Sequence, residues 1–91
     1  MDYDNQVLIE LLEPLQWKGI VTIILKAGSE LSEYTGTISE IVNDYYLVLI
    51  DDSERIICIP INCIYKVIYY ADDHKFVVFE KVLKDDTNIL N

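Results

Sequence analysis

The sequence predicts a mainly β protein: a small, strongly bent antiparallel barrel of five or six strands with a short N-terminal α-helix. Apolar residues recur at helical spacing near the start of the chain, and after Gly19 they alternate in short runs separated by turn residues. The 91 residues suffice for one small core. We therefore predict a single domain, residues 1–91, with the helix at about 4–13, the barrel at about 19–83 and a frayed tail at 84–91.

Five apolar side chains predict the helix by their spacing, namely Val7, Leu8, Leu11, Leu12 and Leu15. Pro14 ends or kinks this helix, because proline restricts the residue before it to extended conformations. Trp17 is then expected to close the junction between the helix and the first strand.

The segment "IVTIIL" holds five β-branched residues in six positions, which favours a strand with Val21, Ile23 and Leu25 on one face. We read "KAGSELSE" as the following turn and "YTGTISEIV" as the second strand. Gly36 lies inside that strand, where a glycine predicts a bend or a bulge of the kind that a small barrel needs.

The third strand, "YYLVLI", follows a turn at Asn43 and Asp44 and is apolar on both faces. In a small domain such a strand turns one face to the core and the other to a helix or a second subunit. Next, "RIICIPI" and "NCIYKVIYY" form either one long bent strand or two short ones, with Pro60 confined to an edge or a bulge. The last strand, "FVVFEKVL" at residues 76–83, either completes the barrel or reaches into a neighbour.

A family resemblance lies in three stretches, "KGIVTIILKAG", "GTISEIVNDYYLVLID" and "ICIPINCIYKVI". Together they resemble the Sm-like family, whose pattern runs from an N-terminal helix through a first strand ending in Leu-Lys-x-Gly, a second opening with Gly-x-Leu and a final Ile-x-x-Ile strand. The resemblance covers residues 5 to about 70. It implies an Sm-like or SH3-like small barrel that pairs edge to edge into a ring.

The departures from the family concern RNA binding. Members that bind RNA carry an Asp and an Asn around the turn between the second and third strands, and an Arg-Gly pair in a later turn. By position these fall on Val42, on Tyr46, and on Pro60 with Ile61, so none is kept. The resemblance therefore implies a barrel without the uridine pocket.

The charge of the chain bears on its partners. With 7 Lys and Arg against 16 Asp and Glu, the formal charge is −9, which repels a phosphate backbone and weighs against nucleic-acid binding. Cys58 and Cys63 lack the spacing of a zinc site and are read as core residues of a reducing compartment. No apolar stretch is long enough to cross a bilayer, so we expect a cytoplasmic protein without a membrane partner.

Catalytic chemistry is sparse in this chain. His74 is the single histidine and stands in a polar segment, and a strand thiol without a cationic neighbour is a poor nucleophile. We therefore expect no enzyme, no catalytic or metal-binding residue and no cofactor.

Three functions remain as hypotheses. The first is a non-enzymatic small barrel that self-associates into a homo-oligomer and serves as a protein-interaction or scaffold module. The second is a small acidic inhibitor, of the kind that phages and other mobile elements encode, blocking a basic nucleic-acid or nucleotide site on a host protein. The third is an Sm-like RNA-binding ring, which the charge and the missing pocket residues weaken.

Two sets of residues carry these hypotheses. The first is a candidate partner or subunit interface, and its members are Tyr45, Tyr46, Val48, Ile50, Tyr69 and Tyr70. The second is a candidate acidic surface, and its members are Asp44, Asp51, Asp52, Glu54, Asp72 and Asp73. The sequence leaves open which protein binds and how many subunits assemble.

Overall fold

The structure is a computed structural model that describes residues 3–82. Helix α1 (Tyr3–Leu12) and a 3₁₀ turn (Glu13–Leu15) precede six strands, which are β1 (Ile20–Ala27), β2 (Glu30–Val42), β3 (Tyr46–Ile50), β4 (Ile56–Pro60), β5 (Ile64–Ala71) and β6 (His74–Glu80). A second 3₁₀ turn (Ile61–Cys63) separates β4 from β5. The chain around Pro60 is therefore two short strands, one of the two arrangements that the sequence allowed.

The six strands form one antiparallel sheet in the order β4-β3-β2-β1-β5-β6. This confirms the predicted mainly β class with one short N-terminal helix. Strands β4 and β6 are the two ends of the sheet, and within residues 3–82 no pairing joins them. Closure into a barrel is therefore not confirmed, and the sheet has open edges.

Strand β2 is long because it pairs with two strands in succession, first β1 and then β3. Its first half pairs with β1 up to Gly36, and its second half pairs with β3 from Thr37 onward. A Cβ atom added at Gly36 would lie 2.5 Å from the backbone oxygen of Ile50, so only glycine permits this close approach. The register shifts between Ile38 and Glu40, which places a bulge just after the glycine, as its presence predicted.

The core is apolar and forms between α1 and one face of the sheet. The helix contributes Leu8, Ile9 and Leu12, all buried. Val21 and Ile23 of β1 are fully buried, as their alternation predicted. The strands and the second 3₁₀ turn supply the remaining buried members, which are Ile38, Leu47, Leu49, Ile59, Ile61, Ile64 and Val67.

Some predicted boundaries were wrong. Strand β2 begins at Glu30 rather than at residue 34, because the turn before it consists of just Gly28 and Ser29. Gly28 has a φ of 64°, which suits the first central position of a tight hairpin turn. The last strand runs from His74 to Glu80 instead of 76–83, and the tail predicted at 84–91 lies outside the described residues.

The expectation for Trp17 was also wrong. Its side chain is 65% exposed, so the ring does not close the junction after the helix. The backbone does so instead, because the Trp17 N–H donates to the oxygen of Ile38 at 2.8 Å. Trp17 adopts a φ of 58°, a left-handed conformation that is uncommon for a bulky residue.

Candidate functional site at the edge of β4

Strand β4 ends the sheet, and two hydrogen bonds define which of its residues face β3. The Asp51 N–H donates to the Arg55 oxygen at 3.1 Å, and the Ile61 N–H donates to the Tyr45 oxygen at 2.9 Å. Both bonds belong to the register in which Ile57 lies opposite Leu49. In an antiparallel ladder every second residue bonds the neighbouring strand, so Ile57 and Ile59 also face β3.

The alternate residues Ile56, Cys58 and Pro60 therefore direct their backbone groups away from the sheet. Ile56 and Cys58 each present an N–H and a carbonyl oxygen to this open edge, whereas Pro60 presents an oxygen alone. Proline at this position costs the sheet no ladder bond, which agrees with the edge placement that the sequence predicted.

The same residues belong to an apolar outer face, on the side of the sheet opposite the core. Register places Ile56 beside Ile50, Cys58 beside Val48, and Pro60 beside Tyr46. Ile56 is 75% exposed, Tyr46 is 48% exposed, and Cys58 is exposed as well. Exposed apolar side chains next to an unpaired edge are typical of a surface that accepts another strand. We call the outward backbone groups of Ile56, Cys58 and Pro60 the β4 edge.

Other open edges carry charges that discourage pairing. The first half of β2 pairs with β1 alone, and the hairpin register directs its Glu33 backbone away from β1. The register of the β5–β6 hairpin likewise directs Lys75 of β6 outward. Charged residues on edge strands oppose the addition of a further strand. The outward residues of β4, by contrast, are uncharged.

The predicted interface residues fall into two groups. Tyr45, Tyr46, Val48 and Ile50 lie on or beside β3, next to β4, with Val48 largely buried and Tyr45 exposed. Tyr69 and Tyr70, in contrast, lie on β5 between β1 and β6.

The two tyrosines of β5 already have hydrogen-bond partners. The Tyr69 hydroxyl donates to the Lys18 oxygen at 3.1 Å. The Tyr70 hydroxyl accepts a bond of 3.2 Å from the Thr22 hydroxyl, which is 2.9 Å from the hydroxyl of Thr35. Both tyrosine hydroxyls are therefore engaged within the chain.

The predicted acidic residues occupy three turns. Asp44 lies in the β2–β3 turn, at one end of β3, and residues 51–54 lie in the β3–β4 turn at the other end. Ile20 lines a cavity with Asp52 and pairs with Tyr70, two residues before the β5–β6 turn at 72–73. The β3–β4 and β5–β6 turns thus both lie near the N-terminal end of β1, whereas Asp44 lies at the opposite end of β3.

Asp51 differs from the other acidic residues because its carboxylate is engaged within the turn. Its Oδ1 accepts the N–H groups of Ser53 and Arg55, both at 2.9 Å, and its Oδ2 accepts Arg55 Nε at 2.9 Å. The backbone N–H of Arg55, above all, lowers the pKa of the Asp51 carboxyl, against the effect of desolvation. Asp51 therefore holds the β3–β4 turn and is not free to bind a cation.

The cavity beside this turn has a volume of about 290 Å³. Ile20 and Ile50 provide its apolar wall, and Thr35, Thr37 and Asp52 provide polar groups. A cavity of this size and mixed lining would hold a side chain, but no single ligand chemistry is specified by it.

The residues with catalytic or metal-binding chemistry are dispersed. His74 begins β6, where its Nδ1 lies 2.7 Å from the Asp72 oxygen and its ring stacks on Phe76 at 6.2 Å. Cys58 lies on β4, at the opposite end of the sheet order. It is exposed, so the expectation that it is a core residue was wrong. Across residues 3–82, no three His, Cys, Asp or Glu side chains are grouped so as to hold a metal ion.

Comparisons with known proteins found no similarity, since no family model, curated protein or solved structure matches this chain. No helix among the described residues is long and apolar enough to cross a membrane. The sequence confined Pro60 to an edge or a bulge, but it did not identify Ile56 and Cys58 as outward residues of that edge.

Proposed function

We propose that this protein is a non-enzymatic interaction or scaffold module that self-associates through the edge of its sheet. Under this proposal the chain is an Sm-like small barrel, as the resemblance implies, and a second copy covers the open β4 edge of its sheet. The order of a helix followed by at least five antiparallel strands supports that assignment.

One observation carries the proposal: the uncharged β4 edge beside an exposed apolar face. Ile56 exposes three quarters of its side chain at this edge, and Tyr46 adds an aromatic ring to the same face. Burying such surface stabilises association by about 25 cal/mol per Å². Strand addition also satisfies the N–H groups of Ile56 and Cys58, which the sheet leaves unpaired.

The proposal is tested by the mass of the protein in solution, measured by light scattering after size exclusion. We expect an oligomer for the native chain. Ile56→Lys should give a monomer, because it places a charge at the β4 edge and would bury that charge on strand addition.

Val77→Lys is the matched control, since Val77 is 57% exposed and lies on β6, at the other end of the sheet. It should not reduce the mass. A native chain that is monomeric at high concentration would overturn the proposal, and loss of the oligomer in both variants would show that the β4 edge is not its specific site.

A second function is supported by the two acidic turns that lie near the N-terminal end of β1. There, Asp52 and the pair Asp72 and Asp73 could contact a basic groove on a host protein, as the inhibitor hypothesis requires. This function depends on a foreign partner and responds to salt in the opposite sense to self-association, as described below.

A further inference from the structure

We infer that the occupant of the β4 edge is β4 of a second copy, paired antiparallel about a two-fold axis at Ile57. This inference rests on the proposed self-association and specifies its partner strand and register. The two copies would form one continuous sheet of twelve strands, six from each.

The β4 edge is complementary to itself. It presents two N–H donors, at Ile56 and Cys58, and each is flanked by a carbonyl oxygen of the same residue. Antiparallel pairing about Ile57 places Ile56 opposite Cys58 of the second copy. By the same symmetry, Cys58 lies opposite Ile56 of the second copy. Each of these two pairs exchanges both of its bonds, so all four donors are satisfied.

Pro60 excludes the neighbouring register, in which the pair is centred on Cys58. Centring the pair on Cys58 would place Pro60 opposite Ile56 of the second copy, in a bonded position. There the proline ring would stand where the Ile56 oxygen requires an N–H. Centring on Ile57 leaves Pro60 outside the bonded pairs.

Head-to-tail growth, in which β4 pairs with β6 of the next copy, is the alternative arrangement. The β6 edge carries Lys75 outward, and its register shifts opposite Val67 and Ile68. A charge and a bulge both oppose regular pairing along that edge. The two-fold arrangement avoids β6 and closes after two copies.

Disulfide cross-linking between two copies tests the register. All chains used carry Cys63→Ser, so that each has a single cysteine. In bonded antiparallel pairs the Cα atoms lie about 5.5 Å apart, within the range of about 4.4–6.8 Å that disulfides require. Two copies of Cys58 would be offset by two residues, about 7 Å along the strand, and too distant.

One chain therefore carries Ile56→Cys with Cys58→Ser, and the other retains Cys58. Treated with diamide, neither chain alone should cross-link, whereas their mixture should give a species of twice the mass on a non-reducing gel. Ile56 is largely exposed, so its substitution leaves the core intact.

Three outcomes would overturn the inference. Cross-linking of the chain with Cys58 alone would indicate the register centred on Cys58. An oligomer by light scattering without any cross-link would leave self-association standing and exclude this strand pairing. A monomer by light scattering would remove both.

Amide hydrogen exchange in the native chain provides a second measurement without substitutions. Exchange at Ile56 and Cys58 should slow as the protein concentration rises, with Lys75 and Val77 unaffected. Concentration-dependent protection on β6 as well would favour head-to-tail growth over the two-fold pair.

Discussion

Gly28, in the turn between β1 and β2, and Gly36, within β2, require glycine for different physical reasons. Gly28 has a positive φ and open space around its missing Cβ, whereas Gly36 has backbone atoms of Ile50 and Asp51 within 3.2 Å of that position. The first position needs conformational freedom and the second needs space.

Substitution should separate these two causes. Gly36→Ala is expected to lower the free energy of unfolding by about 1–3 kcal/mol, because the contacted backbone cannot move aside. Gly28→Ala should cost about 1 kcal/mol, because its φ of 64° is one that alanine rarely adopts, although nothing contacts the added Cβ. Urea denaturation followed by circular dichroism measures both.

Gly36→Asn is a control for the role of space, because its larger side chain should lower the free energy of unfolding at least as far as alanine does. A loss in Gly36→Ala no larger than that in Gly28→Ala would show that contact with Ile50 does not distinguish Gly36.

At the scale of elements, Asp51 fixes how β3 is connected to β4. The side chain is 8% exposed, and its partners Ser53 and Arg55 both lie within the turn. Since the proposed β4 edge begins at the next residue, Ile56, the conformation of this turn determines where the edge lies.

The lowered pKa of Asp51 makes this turn sensitive to acid. Because the folded pKa lies below the ordinary value of 3.8, the carboxylate stabilises the protein above about that pH, and the stabilisation is lost as the pH falls through the folded pKa. Asp51→Asn should therefore lower the thermal midpoint at neutral pH, with the difference from the native chain vanishing in acid.

Asp52→Asn removes the same charge from the adjacent residue and is the matched control. It should shift the midpoint much less, because the bonds that hold the turn are made by Asp51. A difference between native and Asp51→Asn chains that persists unchanged into acid would contradict the assigned role of the carboxylate.

At the scale of the whole molecule, the sequence predicted which strand residues are buried wherever apolar side chains alternate along the strand. Leu47 and Leu49 alternate with outward residues and are buried, and Val21 and Ile23 behave alike. The first half of β2 was missed because residues 30–35 are exposed on both faces and bond one neighbour, so no apolar alternation marks them.

The candidate site was harder to predict than the core. Tyr46 and Ile50 were named as interface residues, but Ile56 and Cys58 were not, because which backbone groups face outward depends on the pairing partner and the register. Closure of the sheet likewise depends on contacts between strands distant in sequence, which a local pattern does not encode.

The net charge of −9 gives a further test of how the whole molecule associates. Two copies repel one another, and salt screens that repulsion over a Debye length that falls from about 30 Å at 0.01 M to about 8 Å at 0.15 M. Self-association should therefore become tighter, by roughly threefold or more, when sodium chloride is raised between these concentrations. Binding to a basic host groove would weaken over the same range, because the attraction is screened.

Sedimentation equilibrium of the native chain measures the salt dependence of self-association directly. Val77→Lys reduces the net negative charge away from β4, so this variant should associate more tightly than the native chain at low salt. An oligomer that dissociates as salt is added would show that attraction between charges, rather than the uncharged β4 edge, holds the copies together.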